Sequence, residues 1–263
     1  MIVFVLVMLG LAFGSFVNAL VWRLHEGRDW VRERSECTKC HHTLAAKDLI
    51  PVVSWLLLRG RCRYCKKLID DSPLTELILP VLFVISYYVW PLGLHGAGLF
   101  VFVLWLIFLV GFAALAVYDF KWFELPNAII YPLMALAALQ VAAVKFVYGG
   151  PWHNVYGAAM GAAAISGLFY IIYIVSREQW IGFGDVRFGV ILGLLAGGII
   201  ESLLVLFVAS LLGVVVSIPL VIKGKATGKT HLPFGPLLIA GIVVVVLAGQ
   251  QIIQWYMNLA LPS

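Results

Sequence analysis

The sequence predicts an all-α polytopic membrane protein: about eight transmembrane helices, with a small cytoplasmic domain between the first and the second. Three observations lead there. Of the 263 residues, 63% are hydrophobic and only 12% charged, far too few charges to cover a soluble surface. Apolar segments run through 1–22, 73–90, 98–118, 126–148, 155–176, 186–200, 202–222 and 232–258. Most reach the ~20 residues that a ~30 Å hydrocarbon layer demands. Eleven of the 18 Lys and Arg, and all four cysteines, lie between Arg23 and Lys67. The expected organisation is a first transmembrane helix at 1–22, a cytoplasmic domain at 23–72 and a transmembrane core at 73–263. No alternating pattern suggests a β-barrel.

The first segment has no basic residue before its apolar run and no small-residue cleavage site after it, so it reads as a retained helix rather than a signal peptide. Segment 186–200 is short and glycine-rich (Gly189, Gly193, Gly197, Gly198). With 202–222 it reads as a helical hairpin turning near Gly197–Glu201. If the N-terminus lies outside, the loops 23–72, 119–125, 177–186 and 223–231 are cytoplasmic. Together with Arg187 they hold 17 of the 18 Lys and Arg, leaving only Lys145 outside, which is the asymmetry of a plasma-membrane protein in that orientation. The net charge of +5 therefore reflects topology. Membrane lipid is the expected surrounding, and no nucleic-acid partner is expected. Small residues such as Gly157 to Gly161 suit close helix packing. No internal repeat stands out.

Cys37-Thr38-Lys39-Cys40 and Cys62-Arg63-Tyr64-Cys65 form two CxxC pairs. Four thiolates at this spacing close a tetrahedral zinc site without an open position, so a structural Zn2+ in a zinc-ribbon-like domain is expected. A reducing cytoplasm disfavours disulfides, and a domain of this size gains from a metal the stability that its small core lacks. His41 and His42 are expected at the surface.

Beyond residue 72 acidic residues are scarce. Asp119 ends the third apolar segment and Asp185 begins the sixth, after Gly182 and Gly184, so both are expected at the cytoplasmic boundary. Ionisable groups at such positions are functional candidates. Two carboxyl groups sharing a poorly solvated site divide their roles: one stays protonated and polarises a carbonyl, the other activates water. Gly182 and Gly184 would allow close approach of backbone to Asp185. Interfacial Asp residues also cap helices or pair with cations, and Lys121 and Arg187 lie two residues from Asp119 and Asp185. Sequence spacing alone does not bring the two together.

Gly14-Ser15-Phe16-Val17-Asn18 with Arg23, Asp48-Leu49-Ile50-Pro51, Ser54-Trp55, Leu58-Arg59-Gly60-Arg61-Cys62 and Pro73-Leu74-Thr75-Glu76 follow one another around the cysteines. Asp119 with Leu125-Pro126-Asn127, then Gly182-Phe183-Gly184-Asp185 and Pro233-Phe234-Gly235-Pro236, complete the series. In this order the motifs resemble the type IV prepilin peptidase family, whose second aspartate lies in a GxGD motif. The resemblance implies that Asp119 and Asp185 are catalytic, with Gly182 and Gly184 supporting. It implies removal of a basic leader from prepilins or pseudopilins, whose glycine precedes the scissile bond and whose hydrophobic helix follows it. S-adenosylmethionine-dependent N-methylation of the new N-terminus is implied as well. Cofactor-binding residues are not assigned; Gly14, Ser15, Asn18 and Arg23 are candidates for a substrate or methyl-donor site, or for packing. Glu76 and Glu124 are expected as helix caps or surface groups. The chain departs from the family at Arg187, where lysine is common, at Asn127, where aspartate is frequent, and at Asp70-Asp71-Ser72, where basic or aromatic residues are usual. The rival readings are a membrane scaffold docking a partner through its zinc ribbon, and a generic GxGD intramembrane protease.

Overall fold

The computed structural model describes residues 1–30, 32–69, 72–222 and 232–260. The expected cytoplasmic loop 223–231 and the pair Asp70-Asp71 lie outside the described residues. The helices are α1 (Ile2–His25), α2 (Val53–Leu57), α3 (Leu74–Val89), α4 (Gly96–Trp122), α5 (Asn127–Phe146), α6 (Trp152–Val175), α7 (Phe183–Ala196), α8 (Ile199–Ile222) and α9 (Gly235–Ala260), with a short 3-10 turn at Ala46–Asp48. Two isolated antiparallel bridges are the only extended pairing among the described residues.

All the helices except the five-residue α2 follow the eight apolar segments. Six of them, α1, α4, α5, α6, α8 and α9, are long and apolar enough to cross a bilayer, which makes this a multi-pass membrane protein. The 16 residues of α3 and 14 of α7 reach only about 24 and 21 Å at 1.5 Å per residue, short of the ~30 Å layer. Gly197 ends α7 in the left-handed conformation (φ 82°), its N–H bonded to Gly193 O at 3.1 Å, and α8 restarts at Ile199. The expected hairpin therefore turns at Gly197–Gly198. Helix α7 begins three residues earlier than its apolar segment, because Gly182 caps it from an extended conformation, and this puts Asp185 in its first turn.

The chain divides into two compact units: Met1–Tyr88 with Leu106–Val117, and Val89–Trp105 with Tyr118–Ser263. In the first, α1 lies backbone-to-backbone on α3. A Cβ on Gly10 would sit 2.5 Å from Pro80 Cα, and one on Gly14 2.5 Å from Glu76 Cα. Thr75 Oγ1 lies 3.1 Å from Gly14 O and 3.0 Å from Asn18 Oδ1, and Asn18 Nδ2 donates to Ser72 O at 3.3 Å. The start of α3 is thus laced to the last turns of α1.

In the second unit the short α7 is the enclosed helix, touched by α5, α6, α8 and α9; Phe188, Ile191 and Leu192 are fully buried. Enclosure by protein explains how a helix too short to span can persist in an apolar surrounding. Its contact with α6 is set by Gly193, whose backbone lies against Gly161 and Ala162 so closely that any Cβ would overlap Ala162 N. Gly189 leaves its Cβ position 2.9 Å from Ile165 Cγ2. Gly193→Ala is therefore expected to destabilise the protein by ~1–3 kcal/mol through overpacking, measured by thermal unfolding in detergent. Gly167→Ala on α6, where a Cβ meets nothing within 4 Å, should leave the midpoint unchanged or slightly raised. Equal effects from the two substitutions would remove this account of α7.

Candidate functional site

The four cysteines sit on two knuckles built alike. Glu36 bridges Thr43 and Arg61 bridges Leu68, each pair flanking a CxxC at the same offsets. In the first, Cys37 N–H donates to His42 O (3.0 Å) and His41 N–H to Cys37 O (2.8 Å). In the second, Cys62 N–H donates to Lys67 O (2.9 Å) and Lys66 N–H to Cys62 O (3.0 Å). His41 and Lys66, each just after its second cysteine, both take positive φ, 54° and 60°. This repeat escapes a reading of the sequence because only backbone geometry and the cysteines are shared.

The four Sγ atoms lie within 4.8 Å of one another, and Cys37 Sγ is 3.9 Å from Cys65 Sγ. That is near the ~3.8 Å edge of a tetrahedron with ~2.3 Å metal–sulfur bonds. The cluster can hold a metal. Asp48 fastens the second knuckle to the 3-10 turn: its Oδ1 accepts from Arg63 Nε at 2.6 Å and its Oδ2 from Tyr64 OH at 3.1 Å. The Arg63 guanidinium holds the Asp48 carboxyl below the usual carboxylate range. His41 is exposed against Glu36, and His42 stacks on Tyr64 with centroids 3.7 Å apart. Neither histidine is part of the four-thiol cluster.

In the second unit, Asp119 lies near the end of α4, only 6% exposed. Phe123, left-handed at φ 55°, closes α4 with its N–H on Asp119 O. Asp119 Oδ2 accepts the backbone N–H of Gly235, the first residue of α9, at 2.9 Å. A helix N-terminus presents free N–H groups and positive potential, a natural partner for a carboxylate. Asp185 and Asp119 line one cavity of about 710 Å³, walled also by Phe123, Phe169, Trp180 and Phe234.

Three sequence motifs meet here. The Leu125 side chain lies 3.1 Å from the position of a Cβ on Gly184 and 3.4 Å from one on Gly235. Gly184 thus backs onto Leu125, while a Cβ on Gly182 would lie 3.7 Å from Asp185 Oδ2. The cation beside Asp185 is engaged elsewhere: Arg187 Nη1 donates to Asn127 Oδ1, and its guanidinium lies 4.6 Å over the Phe183 ring. Lys121 lies over Trp122. Gly235 is the residue whose part the sequence did not disclose. The signal was its place between Pro233 and Pro236 at the start of the apolar segment 232–258, where a helix must begin.

Glu124 is exposed, as expected. Glu76 is not a surface group: it is buried in the first unit, and its Oε2 accepts Val52 N–H at 2.6 Å. The segment 52–53 is brought there by the positive φ of Val52, which sequence spacing does not reveal. Arg23 is buried too, donating to Trp30 O (3.0 Å) and Ser35 Oγ (3.1 Å).

The pattern of the bacterial peptidase A24 N-terminal domain matches residues 8–90, and that of the type IV leader peptidase family matches residues 106–218. The chain is 30% identical to the prepilin leader peptidase/N-methyltransferase of Stutzerimonas stutzeri, an alignment covering 96% of this chain and 92% of the relative. The chain belongs to the type IV leader peptidase family. Relatives of the same name from Pseudomonas aeruginosa (28%) and Bacillus subtilis (29%) align over 97% and 98% of this chain and 93% and 98% of their own lengths. No solved structure matches it. The N-terminal family domain contains the four thiols, α3 and most of α1, and the leader peptidase family match contains both aspartates.

If the thiols hold a metal, purified protein should carry one ion per chain. A thiol reagent should then titrate all four cysteines only after a strong chelator is added. Four freely reactive thiols before chelation, in folded protein, would contradict this.

Proposed function

We propose that this chain is an aspartic endopeptidase of the plasma membrane that removes the leader from type IV prepilins or pseudopilins and N-methylates the new N-terminus. The observation that carries the peptidase reading is the pair Asp119 and Asp185 on one apolar-walled cavity, with the α9 N-terminus on Asp119. In this reading residues 1–22 make the first crossing, 23–72 the cytoplasmic domain and 73–263 the peptidase core. The distribution of 17 of 18 Lys and Arg supports placing both aspartates and the four cysteines on the cytoplasmic side.

The chemistry follows from two carboxyl groups sharing one proton and one water. The ionised carboxylate takes a proton from the water as its oxygen bonds to the scissile carbonyl carbon. The protonated partner donates to the carbonyl oxygen. Collapse of the resulting tetrahedral carbon breaks the C–N bond, and the departing nitrogen receives a proton from the dyad. Gly235 N–H occupies one acceptor position of Asp119 Oδ2 and so fixes which oxygen faces the water. An apolar groove of about 640 Å³ along α8, lined in part by Gly213, Val214 and Ser217, shares Ser210, Leu232 and Phe234 with the aspartate cavity. It suits the hydrophobic helix that follows a prepilin scissile bond. Cys37, Cys40, Cys62 and Cys65 hold a structural Zn2+, since four thiolates leave no site for a reacting water. S-adenosylmethionine, when bound, supplies a methyl group to the new α-amine.

Detergent-purified chain should cleave a synthetic prepilin. Asp119→Asn and Asp185→Asn should each lose roughly three orders of magnitude or more in rate, with unfolding midpoints retained. Full activity in either variant would remove that residue from the mechanism. Gly235→Ala, whose Cβ would meet Asp119 Oδ2 at 2.6 Å, should lose about 100-fold, the cost of a small misplacement of a catalytic group. Unchanged cleavage there would mean that the Gly235 contact does not position Asp119. Chelation after folding should spare cleavage, and abolition without unfolding would make the metal catalytic.

A further inference from the structure

The first unit contains a cavity of about 380 Å³ where α1, the first knuckle, the loop to α2 and the start of α3 come together. It gathers the motifs that peptide cleavage leaves unused, Ser15 to Arg23, Asp48, Ser54-Trp55 and Pro73 to Glu76. Its volume falls in the range of small-molecule sites, roughly 300–1,000 Å³.

Its charges are arranged unequally. Glu36 and Asp48 on its wall are neutralised by Arg28 (2.5 Å) and Arg63 (2.6 Å). Arg23 and Glu76 are different. Arg23 is 8% exposed and bonds only neutral oxygens, those of Trp30 and Ser35. Glu76 is 9% exposed and has one oxygen on Val52 N–H. Among the described residues neither forms an ion pair. They line the same cavity, yet are not paired with each other. Buried charges are stable when compensated, so a cavity with one buried cation and one buried anion is complementary to a ligand carrying both signs. Trp22 and Trp55 add flat apolar surface.

We propose that this cavity binds S-adenosylmethionine, its carboxylate on Arg23, its ammonium and sulfonium towards Glu76 and its purine against Trp55. The proposal rests on the methyltransferase reading above and adds the place and the contacts. The donor has a carboxylate, two cationic centres and an aromatic base, which meet in turn the Arg23 cation, the Glu76 carboxylate and the tryptophan faces of the cavity. Cations are also favoured over aromatic faces.

Equilibrium dialysis of labelled S-adenosylmethionine against full-length, metal-loaded protein in detergent tests it. Wild type should bind about one equivalent and prefer the sulfonium over S-adenosylhomocysteine, whose sulfur is neutral. Glu76→Gln should bind about tenfold more weakly or worse and lose most of that preference, as expected for a charge-assisted contact. Decarboxylated S-adenosylmethionine should bind wild type about tenfold more weakly, whereas Arg23→Gln should no longer distinguish it from the parent. Thermal unfolding checks that each variant is folded; should Arg23→Gln fail, the decarboxylated ligand on wild type still tests the carboxylate contact. Binding unaffected by Glu76→Gln and by decarboxylation would place the donor elsewhere and leave the methyltransferase reading intact. No binding by wild type that still cleaves prepilin would overturn both.

Discussion

The hydrogen bond from Gly235 N–H to Asp119 Oδ2 ties the start of α9 to the end of α4 in the second unit. For it to form, α9 must begin at Gly235 so that the N–H is free of helical pairing. The backbone there must approach a carboxylate closer than any side chain would permit, and Leu125 must fill the space beside both Gly235 and Gly184. The same Leu125 contact seats the start of α7, so one small set of backbone approaches positions both aspartates. In water a lysine could steady such a carboxylate. In an apolar surrounding a fixed backbone dipole does so without neutralising it, which preserves a group able to exchange protons.

Helix α7 shows how packing and chemistry are linked. It is too short to cross a bilayer alone and is enclosed on four sides by other helices. Gly189 and Gly193 let it lie against α6 at backbone distance. Its length is limited at one end by Gly197 and at the other by Gly182, and the second limit is what sets Asp185 in the first turn. Arg187, one turn-fraction onward, is drawn to Asn127 and the Phe183 ring. Two of the three departures from the resembled motifs, Arg187 and Asn127, thus answer each other across α5 and α7.

Much of this was legible in the sequence. The apolar segments gave the helices, because a bilayer imposes length and polarity on each. The CxxC spacing gave the thiol cluster, since ligand geometry constrains local spacing. The boundary position of Asp119 and Asp185 marked them as candidates, and resemblance of the motif series supplied their pairing. What could not be read were contacts made by backbone at long range. Gly235 looked like part of a motif without a role. Glu76 looked like a helix-cap residue, and its burial depends on the turn at Val52. The likeness of the two knuckles lies in dihedral angles rather than residue types.

The most direct test of the shared-carboxylate site is the affinity of a prepilin peptide whose scissile amide is replaced by a hydroxyl-bearing tetrahedral isostere. A site complementary to the tetrahedral carbon should bind it about 100-fold or more tighter than the parent peptide. That advantage should vanish when either Asp119 or Asp185 is changed to Asn, whatever the metal content. An advantage that survives both substitutions would mean that cleavage is centred on other groups.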